Sequence, residues 1–462
     1  MGPFMTFVFR TGARAGTWRL ALLLALLAPL GAGAAHAQAP APAADSVAAG
    51  LLTVDEVVDR VVRTGFDVRV ARGTAAIAAR TATRGAAGYL PSLDGTVRYQ
   101  GTEASRLNTG VGPGGVPGIP LTSYNTTRTG VDLTWTVLDF GRGPTYRGLQ
   151  ADRTRAQAES AATLDAALQA AVTAYFDVVR QEQVLGAVRE TVALSEERLR
   201  LATVQSRAGT ASELDAGLAR VDLNADRAAL LRQEAVLVAL RNDLSLRMGG
   251  SGTETFAVAP EIPVGRGLRR EPLLAAAQRD NRQLAATRSA LDGAEWGVAA
   301  SRRQRLPRLA LQSGYQFSGF AEGTDPAPFN QDDSFTYGAA VTLPLFDGFT
   351  RRREIETTGL RAENARTAVE QAAAQVRAAV GAAHARYEAG LQQMTLETEN
   401  VAVARRNVEI AYAQLRAGTI TAVDLRQVQL SLLDAQTRLF GATFGAKQAE
   451  TELRRLSGTL AP

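Results

Sequence analysis

Four segments of the chain alternate apolar and polar residues with a period of two, at residues 89–105, 127–138, 308–320 and 334–346. Successive side chains of a strand point to opposite faces, so the pattern predicts four strands that each have one apolar and one polar face. A single strand of this kind is also typical of a soluble hairpin packed on a core. Four such strands of membrane-spanning length, with aromatic residues on the apolar face, favour contact with lipid. The residues predicted to face lipid are Val131, Leu133, Trp135, Val137, Tyr315, Phe317, Phe335 and Tyr337.

The segments that join each pair of strands are rich in glycine and proline. Residues 108–125 contain the run Gly-Val-Gly-Pro-Gly-Gly-Val-Pro-Gly-Ile-Pro, and residues 321–333 contain Pro326 and Pro328. Proline can neither continue a helix nor donate to a strand ladder. Both segments are therefore predicted to be exposed loops.

Two long stretches without proline, residues 145–259 and 345–461, carry apolar residues at steps of three and four. This spacing is typical of coiled-coil seams and predicts helical hairpins at residues 142–248 and 349–457. A helix from near Tyr146 to near Arg207 would reach roughly 90 Å at 1.5 Å per residue. The predicted seams are Leu164, Leu168, Val172, Tyr175 and Val179; Leu214, Leu218, Val221, Ala225 and Ala228; Val376, Val380, Ala383 and Tyr387; and Leu425, Val428, Leu432, Ala435 and Leu439.

The hairpins are predicted to turn at residues 207–212 and 416–421, and both turns contain the sequence Arg-Ala-Gly-Thr. Gly209 and Gly418 follow the last periodic residue, a position where a helix C-cap favours glycine. Hydroxyl side chains after the glycines can cap the returning helices. These candidate caps are Thr210, Ser212, Thr419 and Thr421.

The chain contains two copies of one unit of about 210 residues. Leu90-Pro91 is repeated 216 residues later as Leu306-Pro307, and the Arg-Ala-Gly-Thr turn is repeated after 209 residues. Each unit predicts a helix, two strands joined by a loop, a very long helix, a turn and a long helix. The two structural repeats are assigned to residues 51–259 and 260–462.

The N-terminal segment departs from this pattern. Three arginines precede an apolar run, Leu20–Leu30, and a small-residue site at Ala35-His36-Ala37. This order predicts a secretory signal peptide at residues 1–37, followed by a flexible mature N-terminus at residues 38–50. A membrane-spanning helix is the alternative, but the apolar run is shorter than the roughly 20 residues that a bilayer requires.

Composition argues against several kinds of chemistry. The chain has no cysteine, which excludes disulfides and thiolate metal sites. The net charge of +5 includes three arginines of the signal segment, so it gives poor support for a nucleic-acid partner. His384 has no partner residue in view and is predicted to be a helix filler rather than a ligand or base. No catalytic residue, metal or cofactor is expected.

Four strands cannot close a barrel, and open strand edges are not tolerated in lipid. Single-chain barrels start at about eight strands, so partners are required. Three chains would supply twelve strands, enough to surround a lumen. The helical hairpins would also expose their apolar seams unless neighbouring hairpins covered them.

From about residue 51 to residue 460 the chain resembles the TolC family of outer-membrane factors. The resemblance rests on the doubled unit, on Leu-Pro-x-Leu before the first strand of each copy, and on the strand exit 341–348 with its counterpart 133–141. The turns followed by Asp215 or Asp424 complete it. It implies a mixed α and transmembrane β fold, in which a homotrimer forms a twelve-stranded β-barrel that a periplasmic α-helical barrel continues.

The resemblance also implies partners and sites. The two turns match tips that dock periplasmic membrane fusion (adaptor) proteins, which connect the channel to an inner-membrane pump of RND or ABC type. Asp424 matches an acidic position that lines the periplasmic aperture, whereas Gln427 stands where the family's type member has a second acid. The implied docking residues are Arg207, Ala208, Gly209, Thr210, Arg416, Ala417, Gly418 and Thr419.

These observations predict an outer-membrane channel of a tripartite efflux or type I secretion system, with its helical portion in the periplasm. It would be a passive exit duct that an adaptor and a pump recruit and open. The alternative is a periplasmic coiled-coil adaptor or scaffold, which would share the hairpins but would not need four amphipathic strands. An enzyme is disfavoured because no acid pair, metal cluster or nucleophile stands out. The exported substrate stays open, because a wide lumen carries little specificity.

Overall fold

The computed structural model of the protein describes residues 51–105, 121–209, 212–322 and 330–460. The predicted signal peptide and the mature N-terminus lie outside the described residues, as do the central parts of both predicted loops. In chain order the elements are β1 (Leu51–Leu52), α1 (Val54–Thr64), α2 (Phe66–Thr81), β2 (Ser92–Ser105), β3 (Leu121–Leu138), α3 (Arg142–Arg207), α4 (Glu213–Arg247), β4 (Ala257–Val258), α5 (Arg270–Asp280), α6 (Arg282–Arg303), β5 (Arg308–Glu322), β6 (Asn330–Thr342), α7 (Thr350–Arg416) and α8 (Ala422–Leu456).

Two very long helices dominate the structure. Helix α3 has 66 residues and α7 has 67, which corresponds to about 100 Å each at 1.5 Å per residue. Each is followed by a turn and a 35-residue helix that runs back along it. The absence of proline beyond the first turn of α3 lets its hydrogen-bond ladder continue without a break.

Three of the four predicted seams are buried in the chain. Leu168, Val172 and Tyr175 of α3 are at most 5% exposed, and the seam residues Val380 of α7 and Leu425 of α8 are at most 1% exposed. These side chains pack the long helices against their shorter partners and against the helices between the repeats.

The seam predicted on α4 is not buried within the chain. Leu214, Leu218 and Val221 are 67%, 47% and 65% exposed, whereas α4 buries Ala219 and Leu223 on its opposite side. Apolar residues recur at helical spacing on both sides of α4, and periodicity alone does not say which side meets α3.

The four long strands form one antiparallel sheet in the order β2-β3-β5-β6, with β2 and β6 at its edges. The pairing of β3 with β5 joins the two repeats. Strand β3 begins at Leu121, β5 continues to Glu322 and β6 begins at Asn330, so the predicted loops were too long at their ends. Strand β6 ends at Thr342 rather than at residue 346, because Pro344 cannot donate to the ladder.

The main core lies where α1 packs on α3 and α4, beside the short parallel pair β1 and β4. Tyr175 is buried there, and its hydroxyl donates to the carbonyl of Leu52 at 3.0 Å. A second core between α5, α7 and α8 contains Tyr387, whose hydroxyl donates to the carbonyl of Gly265 at 2.6 Å. The phenol of Tyr175 thus ties α3 to strand β1, and the phenol of Tyr387 ties α7 to the irregular segment around Gly265.

Candidate functional site

Both helical hairpins end in a turn built around a left-handed glycine, Gly209 with φ +74° and Gly418 with φ +70°. In the second turn the N–H of Thr419 donates to the carbonyl of Gln414 at 3.0 Å, and the N–H of Gly418 donates to that of Leu415 at 3.1 Å. These two bonds make a Schellman motif, which leaves the turn residues facing solvent. The exposed tip residues are Arg207, Ala208, Gly209, Arg416, Ala417, Gly418 and Thr419, while Thr210 lies outside the described residues.

Each returning helix starts with a capping box. In α8 the N–H of Asp424 donates to the Thr421 hydroxyl at 3.2 Å, and the Asp424 carboxylate accepts from the Thr421 hydroxyl and N–H at 2.7 and 2.9 Å. These two bonds from Thr421 hold the pKa of Asp424 below its usual value. Ser212 and Asp215 form the equivalent box in α4. Asp424 therefore fixes the start of α8, and Gln427 lies exposed one turn further along.

A buried ion pair ties the two hairpins together, near the turn of the second hairpin and about 20 Å along α4 from the turn of the first. Arg426 of α8 donates to both carboxylate oxygens of Asp226 in α4, at 2.7 Å each. The Ser195 hydroxyl of α3 donates to the same carboxylate at 2.6 Å. The side chains of Arg426 and Asp226 are only 16% and 10% exposed. This two-pronged geometry is the strong form of an arginine–carboxylate contact.

Tyr412 of α7 provides a second link between the hairpins. Its hydroxyl donates to the carbonyl of Leu194 in α3 at 3.2 Å and accepts from the Gln429 amide at 3.0 Å. Burial raises the pKa of this phenol above its ordinary value. About one helical turn closer to the turn of the first hairpin, Arg198 of α3 also pairs with Asp222 of α4.

This network is not predicted by the sequence pattern. Isolated charges at helical spacing are usually solvated, so neither Asp226 nor Arg426 stands out along the chain. One signal was present, because Asp226 lies in step with Ala219 and Leu223 on the face of α4 that the chain buries. A carboxylate on an otherwise apolar stripe requires a partner.

Seven of the eight residues predicted to face lipid lie in regular strand register on one face of the sheet. Tyr315 lies opposite Val131 on one side and Phe335 on the other, and the remaining members follow the same register. On this face Phe335 is 65% exposed and Tyr337 82% exposed. The eighth, Val137, lies in a register shift between Thr136 and Leu138.

The other face of the sheet is polar. Its residues include Asp132, Thr134, Gln312 and Thr336, which occupy the alternate positions of β3, β5 and β6. The first face thus presents mainly apolar side chains, with Ser313 and Asp333 among them, and the other presents hydroxyls, amides and carboxylates. This is the pattern of a strand with lipid on one side and water on the other.

The described ranges contain no group of three or more His, Asp or Glu side chains that could hold a metal ion. His384 is buried on α7, and its Nε2 lies 3.1 Å from the carbonyl of Leu268. No helix in the described part of the chain is both long and apolar enough to cross a membrane.

Comparison with known proteins identifies the family. The sequence profile described as "outer membrane efflux protein" matches residues 59–250 and 273–459, which cover both repeats. The chain belongs to the outer membrane efflux protein family. Membership in this efflux protein family, with its TolC-type channels, places the chain in the outer membrane, with its helical portion in the periplasm.

Two curated relatives of this efflux protein share its sequence at moderate identity. Protein CyaE of Bordetella pertussis is 29% identical over 330 residues, which cover 70% of this chain and 65% of CyaE, just less than two thirds of its length. The outer membrane efflux protein BepC of Brucella suis is 23% identical over 353 residues, which cover 74% of each chain.

Solved structures of outer-membrane channels share the fold of this efflux protein. The CusC structure covers 88% of this chain and 92% of its own, with a TM-score of 0.71 at 17% identity. The CmeC channel of Campylobacter jejuni gives 0.69 at 16% identity over 88% and 85% of the two chains. The MtrE channel of Neisseria gonorrhoeae in its open state gives 0.67 at 16% identity over 88% and 89%.

Proposed function

We propose that this efflux protein is a passive exit duct from the periplasm to the outside, formed by a homotrimer. Three four-stranded sheets would close one twelve-stranded β-barrel, which the helical hairpins continue as an α-helical barrel. The observation that carries the proposal is the sheet itself, which has two open edges and an exposed apolar face. Open edges are excluded from lipid, and closure by copies removes them.

The lipid-facing role of Val131, Leu133, Trp135, Val137, Tyr315, Phe317, Phe335 and Tyr337 is part of this proposal. The exposed stripe Leu214, Leu218 and Val221 on α4 supports it, since a neighbouring copy would cover this stripe. On α7 the exposed residues Leu396, Val403 and Ile410 follow at seven-residue spacing, which is the period of a coiled-coil contact.

The duct would work within a tripartite efflux or type I secretion system. A periplasmic adaptor protein would dock on the two tips, residues 207–210 and 416–419, and an inner-membrane pump of RND or ABC type would supply the energy. Asp424 and Gln427 would lie at the periplasmic aperture. The hairpin network of Asp226 and Arg426 would hold that aperture closed until the adaptor engages.

The test is purification of the mature chain from outer membranes, followed by measurement of its mass in detergent and its conductance in planar lipid bilayers. We expect a detergent-requiring trimer that conducts ions through a wide pore. A water-soluble monomer in the periplasmic fraction would refute the channel and favour the alternative, a periplasmic coiled-coil scaffold.

A further inference from the structure

The end of the sheet where strands give way to helices is defined by its register. Arg308 at the start of β5 pairs with Thr342 at the end of β6, and Leu309 pairs with Leu138 at the end of β3. The segments 302–308 and 343–353 therefore lie at this same end. In the proposed duct, it is the end that meets the periplasmic leaflet of the outer membrane.

Large apolar side chains are exposed at this end. Leu343, Leu345, Phe346 and Phe349, here called the apolar rim, are 52%, 89%, 75% and 59% exposed. The rings of Phe346 and Phe349 meet edge to face with centroids 5.4 Å apart. Phe349 has φ +65°, directly after Gly348 with the same φ, so the chain makes a tight turn within the rim. Exposed aromatic residues at the ends of membrane strands are typical of the lipid–water interface.

Arginine is concentrated beside the rim, at seven positions. Three of these arginines have carboxylate partners, since Arg308, Arg351 and Arg352 lie 3.8, 3.4 and 3.0 Å from Asp139, Asp347 and Glu356 respectively. The other four have no carboxylate partner within the described ranges and are exposed. These four are Arg302, Arg303, Arg305 and Arg353. Arg303 and Arg353 each donate one N–H to a backbone carbonyl, that of Phe140 at 3.4 Å and that of Gly348 at 3.0 Å, which leaves the charge of each guanidinium without a carboxylate.

The chemistry of these arginines indicates which ligand this surface binds. A guanidinium group presents paired N–H donors that match a phosphate, and it stays charged at any physiological pH. Long arginine side chains next to an apolar rim can keep their charge at the headgroup level while the rim enters the acyl boundary. Basic side chains are attracted to an anionic lipid surface, and the attraction grows with the number of charges. A lipid with a charged phosphate fits both parts of this surface at once.

We propose that Arg302, Arg303, Arg305 and Arg353 bind the phosphate groups of anionic phospholipids in the periplasmic leaflet, while the apolar rim contacts the adjoining acyl chains. The inference rests on the proposed function, because it requires the sheet to lie in the membrane. It adds a lipid selectivity that an uncharged strand end would lack.

The test compares lipid binding by the purified full-length protein and two variants. One variant carries Arg302→Gln, Arg303→Gln, Arg305→Gln and Arg353→Gln. The matched control carries Arg232→Gln, Arg377→Gln, Arg405→Gln and Arg406→Gln, four exposed arginines of the hairpins without carboxylate partners in the described residues. The probe is phosphatidylglycerol, with phosphatidylcholine as the neutral reference, and bound lipid is counted by native mass spectrometry.

We expect the wild type and the control to prefer phosphatidylglycerol at least tenfold, and the first variant to lose that preference while remaining a trimer. Replacement of Leu345 and Phe346 by serine should weaken phosphatidylglycerol binding with all four arginines in place. An unchanged preference in the first variant overturns the inference. So does dissociation of that variant in lipid-free detergent, because the arginines would then bind a second copy of the chain. A wild type that is not a membrane trimer refutes the proposed function instead.

Discussion

At the scale of single residues, the buried contact between Asp226 and Arg426 joins helices from the two hairpins. Arg426→Gln would leave the Asp226 carboxylate buried without its cation. Removing one partner of a buried pair of this kind lowers the free energy of unfolding by about 3 kcal/mol. We expect Arg426→Gln to raise the channel conductance in planar bilayers, because the second hairpin is then less restrained.

The control for that experiment is Arg405→Gln, an exposed arginine on α7. Exchange of the pair, Asp226→Arg with Arg426→Asp, should return the conductance towards the wild-type value. If Arg426→Gln lowers the melting temperature and leaves the conductance unchanged, the pair stabilises the fold without controlling the aperture.

Asp165 gives a second prediction at this scale. Burial on α3 raises the pKa of its carboxyl group, and the charges of Arg282 and Arg455 oppose that rise only in part. The pKa of the Asp165 carboxyl is higher in the folded protein than in the unfolded chain. The free energy of unfolding therefore decreases as pH rises through the folded-state pKa. Asp165→Asn should therefore raise the melting temperature at pH 8 and leave it nearly unchanged at pH 4.

Circular dichroism of the detergent-solubilised protein would follow this transition. Asp292→Asn, which changes an exposed carboxylate on α6, is the matched control and should have no effect at either pH. An equal gain for Asp165→Asn at both pH values would show that the cause is packing rather than ionisation.

At the scale of elements, the sequence predicted the long helices and the strands of the sheet, but not the strand ends or the helix-capping carboxylates. The hairpins were predictable because proline-free helical periodicity persists over more than a hundred residues in each repeat. The strand ends were not, since Pro91 and Pro344 end pairing at positions that alternation alone does not mark. The capping roles of Asp215 and Asp424 were also missed, because a carboxylate three residues after a hydroxyl looks the same whether it caps a helix or lines a pore.

The exposed stripe on α4 gives a prediction for this scale. Leu218→Glu places a charge in the middle of a surface that we expect a neighbouring copy to cover, so the trimer should dissociate or fail to form. Arg220→Glu lies on the opposite side of the same helix from Leu218 and should leave the trimer intact. Light scattering after size exclusion in detergent measures both. A stable trimer of Leu218→Glu would assign this stripe to another partner.

At the scale of the whole molecule, the family and the outer-membrane location follow from the match over both repeats. They were also predictable from the sequence, because the doubled unit, the Leu-Pro-x-Leu entries and the repeated Arg-Ala-Gly-Thr turns resemble the TolC family. Trimer closure and the adaptor and pump partners stay predictions. The contacts between copies, and those with an adaptor or a pump, form only in the assembled complex and not within a single chain.

Closure can be tested by cross-linking, since the chain has no cysteine of its own. Thr96→Cys on β2 would be combined with Thr336→Cys, Gly338→Cys, Ala340→Cys or Thr342→Cys on β6. One pairing across the edges should give covalent trimers under oxidation, and each single substitution should give none. Failure of every pairing in a membrane-inserted protein would contradict closure by these two edges.

The uninterrupted length of α3 and α7 has a mechanical consequence. A rod of about 100 Å that is anchored at the sheet behaves as a lever, and a tilt of about 5° at its base displaces its far end by about 9 Å. In the proposed duct, modest adjustments near the membrane would therefore widen or narrow the far opening by the size of a small solute, with the helices themselves unchanged.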